Sequence, residues 1–420
     1  MRPTDSMLHP ADWDTTTVGR SVELKRGVSW SKEQEHSELG AGRVPVIRIG
    51  NVQDRLELTD VLYLSGLKSN AVEKARISAG WTIMVGSNGN RARIGNAVLV
   101  REDAEFLFAS FLIGAKPSAD SGLSSEYFHR WLSTEQVQAY LSASSEGTTG
   151  LNNLSHSFFR AMSIPVPPFE EQAAIARILD SVDTALEHTS AAIDRALELE
   201  RSVLEDAFEN LDASRHRLRD FTKDIRYGTS NASSERGWGN PVLRIPNVVG
   251  DRLSVADLAF VELPPRDVDR LRLDDGDLLL VRTNGNPNYV GRSVVFRQPD
   301  DRIWVYASYL IRVRLKDSLL PDFVNVYLGT ERGRRELLRR VTTSAGNHNI
   351  NSNSIRLISL PVPDGIGAQE SIVQVSNACR SHFDVLQNKM VALTELKKAL
   401  MHDLLTGRVR VREDLKATTS

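Results

Sequence analysis

Four short segments concentrate asparagine, arginine and small hydroxyl residues around glycine. They are Ser87-Asn88-Gly89-Asn90-Arg91-Ala92-Arg93, Arg282-Thr283-Asn284-Gly285-Asn286-Pro287-Asn288-Tyr289, Thr149–Asn153 and Asn347–Asn351. An asparagine amide pairs bidentately with adenine and an arginine fork with guanine, and glycine lets a backbone approach closely. The chemistry these residue types support is hydrogen-bond readout of base edges. The same residues are also the usual turn formers. The candidate contacts in the first half are Arg48, Asn51, Ser87, Asn88, Asn90, Arg91, Arg93, Asn152 and Asn153. In the second half they are Arg244, Asn247, Arg282, Thr283, Asn284, Asn286, Tyr289, Arg292, Asn347, His348 and Asn349. Arg48 and Arg244 hold corresponding places in short strands, where a phosphate anchor and an internal salt-bridge partner fit equally well.

Bond-making chemistry finds no complete site. Asn286-Pro287-Asn288-Tyr289 lacks the second proline of the Asn-Pro-Pro-Tyr motif of adenine methyltransferases, and no glycine-rich cofactor loop follows a strand upstream. Asp364, Glu395 and Lys397 mimic an acid-acid-lysine nuclease set, yet Glu395 and Lys397 lie on an expected coiled-coil helix. There is no Walker A loop. The nine His and one Cys show no metal-ligand spacing. The expectation is a non-enzymatic chain that binds no metal and no cofactor of its own.

The elements that position these loops come twice. Val46-Ile47-Arg48-Ile49-Gly50-Asn51-Val52 returns 196 residues later as Val242-Leu243-Arg244-Ile245-Pro246-Asn247-Val248, and Asn88-Gly89-Asn90 as Asn284-Gly285-Asn286. Leu132-Ser133-Thr134-Glu135 and Ile164-Pro165-Val166-Pro167 return at the same offset as Leu328-Gly329-Thr330-Glu331 and Leu360-Pro361-Val362-Pro363. A period this long is a duplicated domain, not a solenoid. Within each copy, short β-branched runs alternate with Gly, Asn and Asp turns: Val44–Ile49, Ile83–Val85, Ala97–Val100 and Phe106–Ile113, matched by Val242–Ile245, Leu278–Val281, Ser293–Phe296 and Tyr306–Val313. One helix is expected among them, through Tyr127, Phe128, Trp131, Leu132, Val137 and Leu141 and their counterparts. Each module reads as α+β.

After each module comes a long heptad helix. Ile175, Leu179, Val182, Leu186, Thr189, Ile193, Ala196 and Val203 recur at steps of 4 and 3, broken only at Glu200; the second series is Ile372, Val375, Cys379, Leu386, Met390, Leu393, Leu400 and Leu404. Ile175, Leu179, Val182, Leu186, Ile193, Cys379, Leu386, Met390, Leu393 and Leu400 are the expected pairing residues. Each helix of roughly 35–40 residues spans on the order of 50–60 Å, too long for a compact module. A pseudo-two-fold frame sends each helix from its own module toward the other, which makes the pair antiparallel. The expected organisation is a module over 1–168, a central spacer helix over 169–211, a second module over 212–364 and a C-terminal spacer helix and tail over 365–420.

Composition bounds the rest. A chain of 420 residues with 41% hydrophobic and 25% charged residues is globular. One cysteine permits no internal disulfide, no run approaches a membrane span, and the polar stretch from Met1 to Asp14 is no signal peptide. The cytoplasm is the expected compartment. The net charge of −2 is unevenly spread: residues 1–168 carry −1, 169–211 carry −8, 212–364 carry +5 and 365–420 carry +2. The second module is Arg-rich, suited to phosphates and guanine edges. The acidic central helix would be repelled by a phosphate backbone, so its outer face suits a protein partner.

The residues now resemble a known family, the specificity subunit of type I restriction-modification enzymes, over nearly the whole chain. Ile164-Pro165-Val166-Pro167-Pro168-Phe169-Glu170-Glu171-Gln172 resembles its junction between recognition domain and spacer helix, and Leu404-Leu405-Thr406-Gly407-Arg408-Val409 its C-terminal helix end. Gly276 to Asn286 with Val290-Gly291-Arg292, and Gly346 to Asn351, resemble recognition-domain segments. The resemblance implies two target-recognition domains held apart by two antiparallel coiled-coil helices, and a bipartite double-stranded DNA target. It also implies partner methyltransferase subunits, one for each half, carrying S-adenosylmethionine, with motor-nuclease subunits added for restriction. The first copy departs further from the pattern: Gly50, Gly86 and Ser87 stand where Pro246, Arg282 and Thr283 do. The two modules are therefore expected to read different sequences. A rival reading from another class is a coiled-coil adaptor whose modules bind protein or glycan.

Overall fold

The computed structural model describes residues 9–411, apart from 54, 103–105, 149, 250, 251 and 345. The chain forms two compact units: one lies within Met1–Thr189 and Lys389–Ser420, the other within Ser190–Asn388. Each unit holds one module together with the leading part of one long helix and the trailing part of the other.

In the first unit the core sheet has four strands in the order Val22–Arg26, Leu112–Pro117, Thr82–Val85, Ala97–Leu99. Ile83, Met84, Val85, Leu112 and Ala115 are fully buried on it. A second four-stranded sheet runs Glu35–His36, Leu62–Leu64, Val44–Ile47, Leu107–Phe108, the last pair being parallel. The second unit repeats the scheme. Its core sheet runs Thr222–Tyr227, Leu310–Leu315, Leu278–Val281, Ser293–Val295, and its other sheet Ala259–Val261, Asn240–Leu243, Val305–Tyr306. All-apolar strands such as Leu278–Val281 are buried on both faces, which is why they read as continuous hydrophobic runs.

Two expectations need correction. Phe106–Ile113 is not one strand: a turn with Leu112 N–H donating to the Ala109 carbonyl (2.9 Å) separates Leu107–Phe108 from Leu112–Pro117, and the two pieces join different sheets. Tyr306–Val313 breaks in the same way at Ala307–Leu310. The single helix is two, Ser125–Leu132 and Glu135–Ala143, because the Thr134 hydroxyl accepts from Val137 N–H and starts a new helix. Thr330 does the same between Pro321–Gly329 and Glu331–Leu338.

The long helices are Phe169–Glu209 and Ile366–Leu405. The first contains neither Pro nor Gly, so nothing interrupts its hydrogen-bond ladder. Each is fixed to its module by a buried glutamine. Gln172 accepts from Ser124 N–H (2.8 Å) and donates to the carbonyls of Gly122 and Pro167. Gln369 accepts from Leu320 N–H (2.9 Å) and donates to Ser318.

Within each unit the helix segments run antiparallel. In the first, Ile175 and Leu179 share a core with Leu404 and Leu405, while Asp183 meets Lys397 at 2.7 Å. In the second, Leu204 and Phe208 share a core with Ile372, while Glu200 meets Arg380. The expected seam residues Ile175, Leu179 and Val182 are buried, and Leu186, Ile193, Cys379, Leu386, Met390, Leu393 and Leu400 are partly buried. Val375 faces outward and Ser376 takes the buried position, which keeps the alternating 3 and 4 spacing toward Cys379. Lys397 occupies a seam position and pairs with Asp183, so it is part of the helix frame and not of a nuclease set.

Candidate nucleic-acid interface

In each unit the structure assembles two distant polar segments into one small three-stranded sheet. In the first, Ser87–Asn88 pairs with Leu151–Asn153, which pairs with Glu146–Thr148. In the second, Thr283–Asn284 pairs with Asn347–Asn349, which pairs with Thr342–Ser344. The strand order is the same in both. Each small sheet grows directly out of the core: Thr82–Val85 continues through Gly86 into Ser87–Asn88, and Leu278–Val281 continues through Arg282 into Thr283–Asn284. Leu154 N–H donates to Gly86 and Ile350 N–H to Arg282, closing the second segment onto the first. A buried strand thereby holds a polar one, the arrangement that positions contact groups more firmly than a free loop.

The asparagines after these strands are set by the same local device. The Asn88 side-chain oxygen accepts from Asn90 N–H (2.8 Å), and that of Asn90 from Ala92 N–H. Asn284 accepts from Asn286 N–H (2.8 Å), and Asn286 from Asn288 N–H. These Asx turns fix each carbonyl and leave each amide NH2 without a hydrogen bond among the described residues. Asn153 accepts from the Ser87 hydroxyl (2.6 Å), and Asn152 donates to the carbonyls of Asn88 and Gly89. His348 shares a hydrogen bond with Thr343, and Asn349 donates to the Asn347 carbonyl. Arg282 lies over the Tyr227 ring, 4.7 Å from its centroid, and Arg292 over Tyr289. Thr149 lies outside the described residues.

Other candidates sit in the scaffold. Asn51 and Asn247 are buried; each accepts from the arginine N–H three residues before it and donates to two carbonyls, Glu57 and Asp60 or Ser254 and Ala256. Their polar groups are engaged, so they hold a turn and are not placed to read a base. Arg48 pairs with Asp60 (2.9 Å), and Arg244 donates to the Asp257 carbonyl (2.8 Å). Arg91 makes four hydrogen bonds to Ser142, Ala143 and Ser145, and Arg93 donates to Val52. Several arginines of the second module are likewise paired in place: Arg312 and Arg314 with Asp224, Asp274 and Asp277, and Arg302 with Asp300. Arg302 holds the Asp300 carboxyl down at about 2. The net charge of a segment does not reveal such pairing.

Segment reading missed two aromatic residues beside the small sheets, Phe111 and Tyr309. They are 49% and 57% exposed. The available signal was the repeated Phe108-Ala109-Ser110-Phe111-Leu112-Ile113 and Tyr306-Ala307-Ser308-Tyr309-Leu310-Ile311.

Two equivalent modules, each offering a braced polar sheet and each joined to a long helix, define a class of duplicated recognition protein. Residues 10–198 match the family described as type I restriction modification DNA specificity domain. The chain is 24% identical to the EcoKI specificity subunit of Escherichia coli over 95% of this chain and 90% of that one. It is 23% identical to the StySPI specificity subunit of Salmonella potsdam, with the same coverage. Among solved structures, the type I S subunit from M. genitalium aligns over 94% of this chain and 96% of that one, with a TM-score of 0.55 and 14% identity. A chain from a structure of type I complex assembly and conformational transition aligns over 96% and 99%, with a TM-score of 0.63 and 15% identity. The chain is thus similar over nearly its whole length to specificity subunits of type I restriction-modification systems, and residues 10–198 match their DNA specificity domain.

Proposed function

We propose that this chain reads a bipartite double-stranded DNA target, one half-site per module, and recruits methyltransferase subunits that modify adenine. The observation that carries the reading is the pair of small polar sheets, alike in strand order, each extruded from a buried core strand. In this reading residues 1–168 and 212–364 are the two readers, and 169–211 and 365–420 set the distance between half-sites. Readers on one face of a duplex must sit about 34–36 Å apart or a multiple of that, and paired helices define such a gap where a flexible linker would not.

The contact set is Asn88, Asn90, Asn152 and Asn153 in the first module. In the second it is Arg282, Thr283, Asn284, Asn286, Tyr289, Asn347, His348 and Asn349, while Arg292, which donates to the Asn288 and Val249 carbonyls, braces the loop as Arg93 does in the first. Ser87 orients Asn153 in this set. The acidic central helix takes a protein face, one methyltransferase subunit serving each half, with S-adenosylmethionine held on those subunits and motor-nuclease subunits joining for restriction. No helix among the described residues is long and apolar enough to cross a membrane, and the working compartment is the cytoplasm, where the DNA lies.

Methylation mapping in cells with and without the chain tests the reading. A bipartite adenine motif disappears on deletion; if every methylated motif persists, the reading fails. In the assembled complex, affinity for DNA falls steeply with salt through counterion release. Binding that ignores salt would favour a protein- or glycan-binding adaptor instead. Replacing residues 212–364 with another module changes one half of the motif only, and inserting a heptad into both helices lengthens the gap.

A further inference from the structure

Phe111 and Tyr309 occupy the same place in the two modules, and that place is unusual for an aromatic side chain. Each is the third residue of a tight turn, Ala109–Leu112 or Ala307–Leu310, closed by a 2.9 Å hydrogen bond from Leu112 to Ala109 or from Leu310 to Ala307. Tight turns on a protein surface ordinarily take Gly, Asn, Asp or Ser. Here both copies keep a ring with about half its surface in water.

The turns are rigidly mounted. Gly27 and Gly228 lie against them so closely that a Cβ at either would come within 2.2 Å of the Ala109 or Tyr306 carbonyl oxygen. Ser110 N–H donates to Val28 (2.8 Å) and Ser308 N–H to Thr229 (2.7 Å). Each aromatic residue is also tied to the polar sheet by its backbone. The Phe111 carbonyl accepts from Gly86 and Ser87 N–H, and the Tyr309 carbonyl accepts from Arg282 N–H. These donors open the strands that carry Asn88 and Asn284.

Resting on the DNA-reading proposal above, we infer that Phe111 and Tyr309 are specificity residues that pack against a thymine 5-methyl group in each half-site. An A·T pair shows the major groove an adenine edge that asparagine reads and a methyl group that an apolar side chain reads. An aromatic residue whose carbonyl is bonded to the start of the strand that carries the asparagines is placed to supply the second half of that pattern. The two positions share the ring and not the hydroxyl, so the apolar face is the common function.

The test uses the full chain assembled with its methyltransferase partners, on duplexes carrying the adenine-methylation motif mapped for the wild-type assembly. Tyr309→Ala weakens binding to the motif about 3- to 10-fold, the scale of one buried methyl-sized contact, with unchanged binding to random-sequence duplex. Replacing one thymine of the matching half-site by deoxyuridine weakens the wild type and has no further effect on Tyr309→Ala. Phe111→Ala behaves alike at the other half-site, and Tyr309→Phe retains wild-type discrimination. The inference is overturned if no deoxyuridine position couples to either residue, or if Tyr309→Phe loses as much as Tyr309→Ala. A wild-type assembly with no motif preference would sink the DNA-reading proposal itself, and this inference with it.

Discussion

Arg410 grips both carboxylate oxygens of Glu171, Nε donating to Oε1 at 2.8 Å and Nη2 to Oε2 at 2.7 Å. The Glu171 side chain is 1% exposed, and Trp13 donates to it as well. Arg410 also reaches Asp12 and lies against the Trp13 ring. Gly407, at φ +69, ends the C-terminal helix so that the chain can turn back onto Pro10 and Trp13. The segment after the last helix is thus bound to the start of the first module and to the first turn of the central helix.

Removing this fork takes the opposite charge away from a buried carboxylate and leaves the Trp13 hydrogen bond in place. Arg410→Ala lowers the stability of the first unit by about 2–4 kcal/mol, somewhat less than for a fully enclosed pair because the guanidinium is partly open to water. Glu171→Gln costs less, because an amide still accepts one hydrogen bond. Denaturant unfolding of the two variants checks the order.

The paired glutamines make a matching prediction. Gln172→Ala and Gln369→Ala each leave two or more buried backbone groups unpaired, at about 1–3 kcal/mol per group. Both variants loosen a helix from its own module, so hydrogen exchange quickens at Ser124 or Leu320, whose N–H groups they release. Unchanged protection at those amides would contradict the bracing role.

Asn247→Ala separates scaffold from reader. Its amide holds Ser254 and Ala256, so its loss costs roughly 1–3 kcal/mol of stability. Discrimination among DNA sequences by the folded fraction stays unchanged. A relaxed motif at full stability would return Asn247 to the contact set.

Acid should weaken the first unit through Asp183. Burial works against its charged form, but the hydrogen bonds and charges of Lys397 and Arg130 outweigh it, so its pKa lies below the ordinary 3.8. The unfolded chain takes up the proton first as pH falls. The stabilisation is therefore full above the unfolded value and is lost as pH drops through the lower, folded one. Asp183→Asn flattens the fall in unfolding free energy below about pH 4, which acid titrations of the two proteins compare directly.

Duplication, module class and long helices were legible in the sequence because each rests on periodicity. The 196-residue repeat, the 3–4 spacing from Ile175 to Val203 and the apolar runs at Ile83–Val85 and Leu278–Val281 depend on which residues are apolar, and that is written locally. Turns were harder. Phe106–Ile113 has strand composition throughout, and its break appears only where Ala109 and Leu112 close a turn between two sheets.

Residue roles belonged to the tertiary structure. Asn51 and Asn88 are alike in sequence as asparagines beside glycine, yet one is buried with its groups engaged and the other keeps a free amide at the surface. Arg91 and Arg282 both stand in polar loops, yet one braces a helix end and the other lies over an aromatic ring. Side-chain chemistry is fixed by residue type, whereas availability for a partner is fixed by which distant backbone groups fall within hydrogen-bond reach. That depends on the three-dimensional path of the chain, which brings Ser87 beside Asn153 and Glu171 beside Arg410.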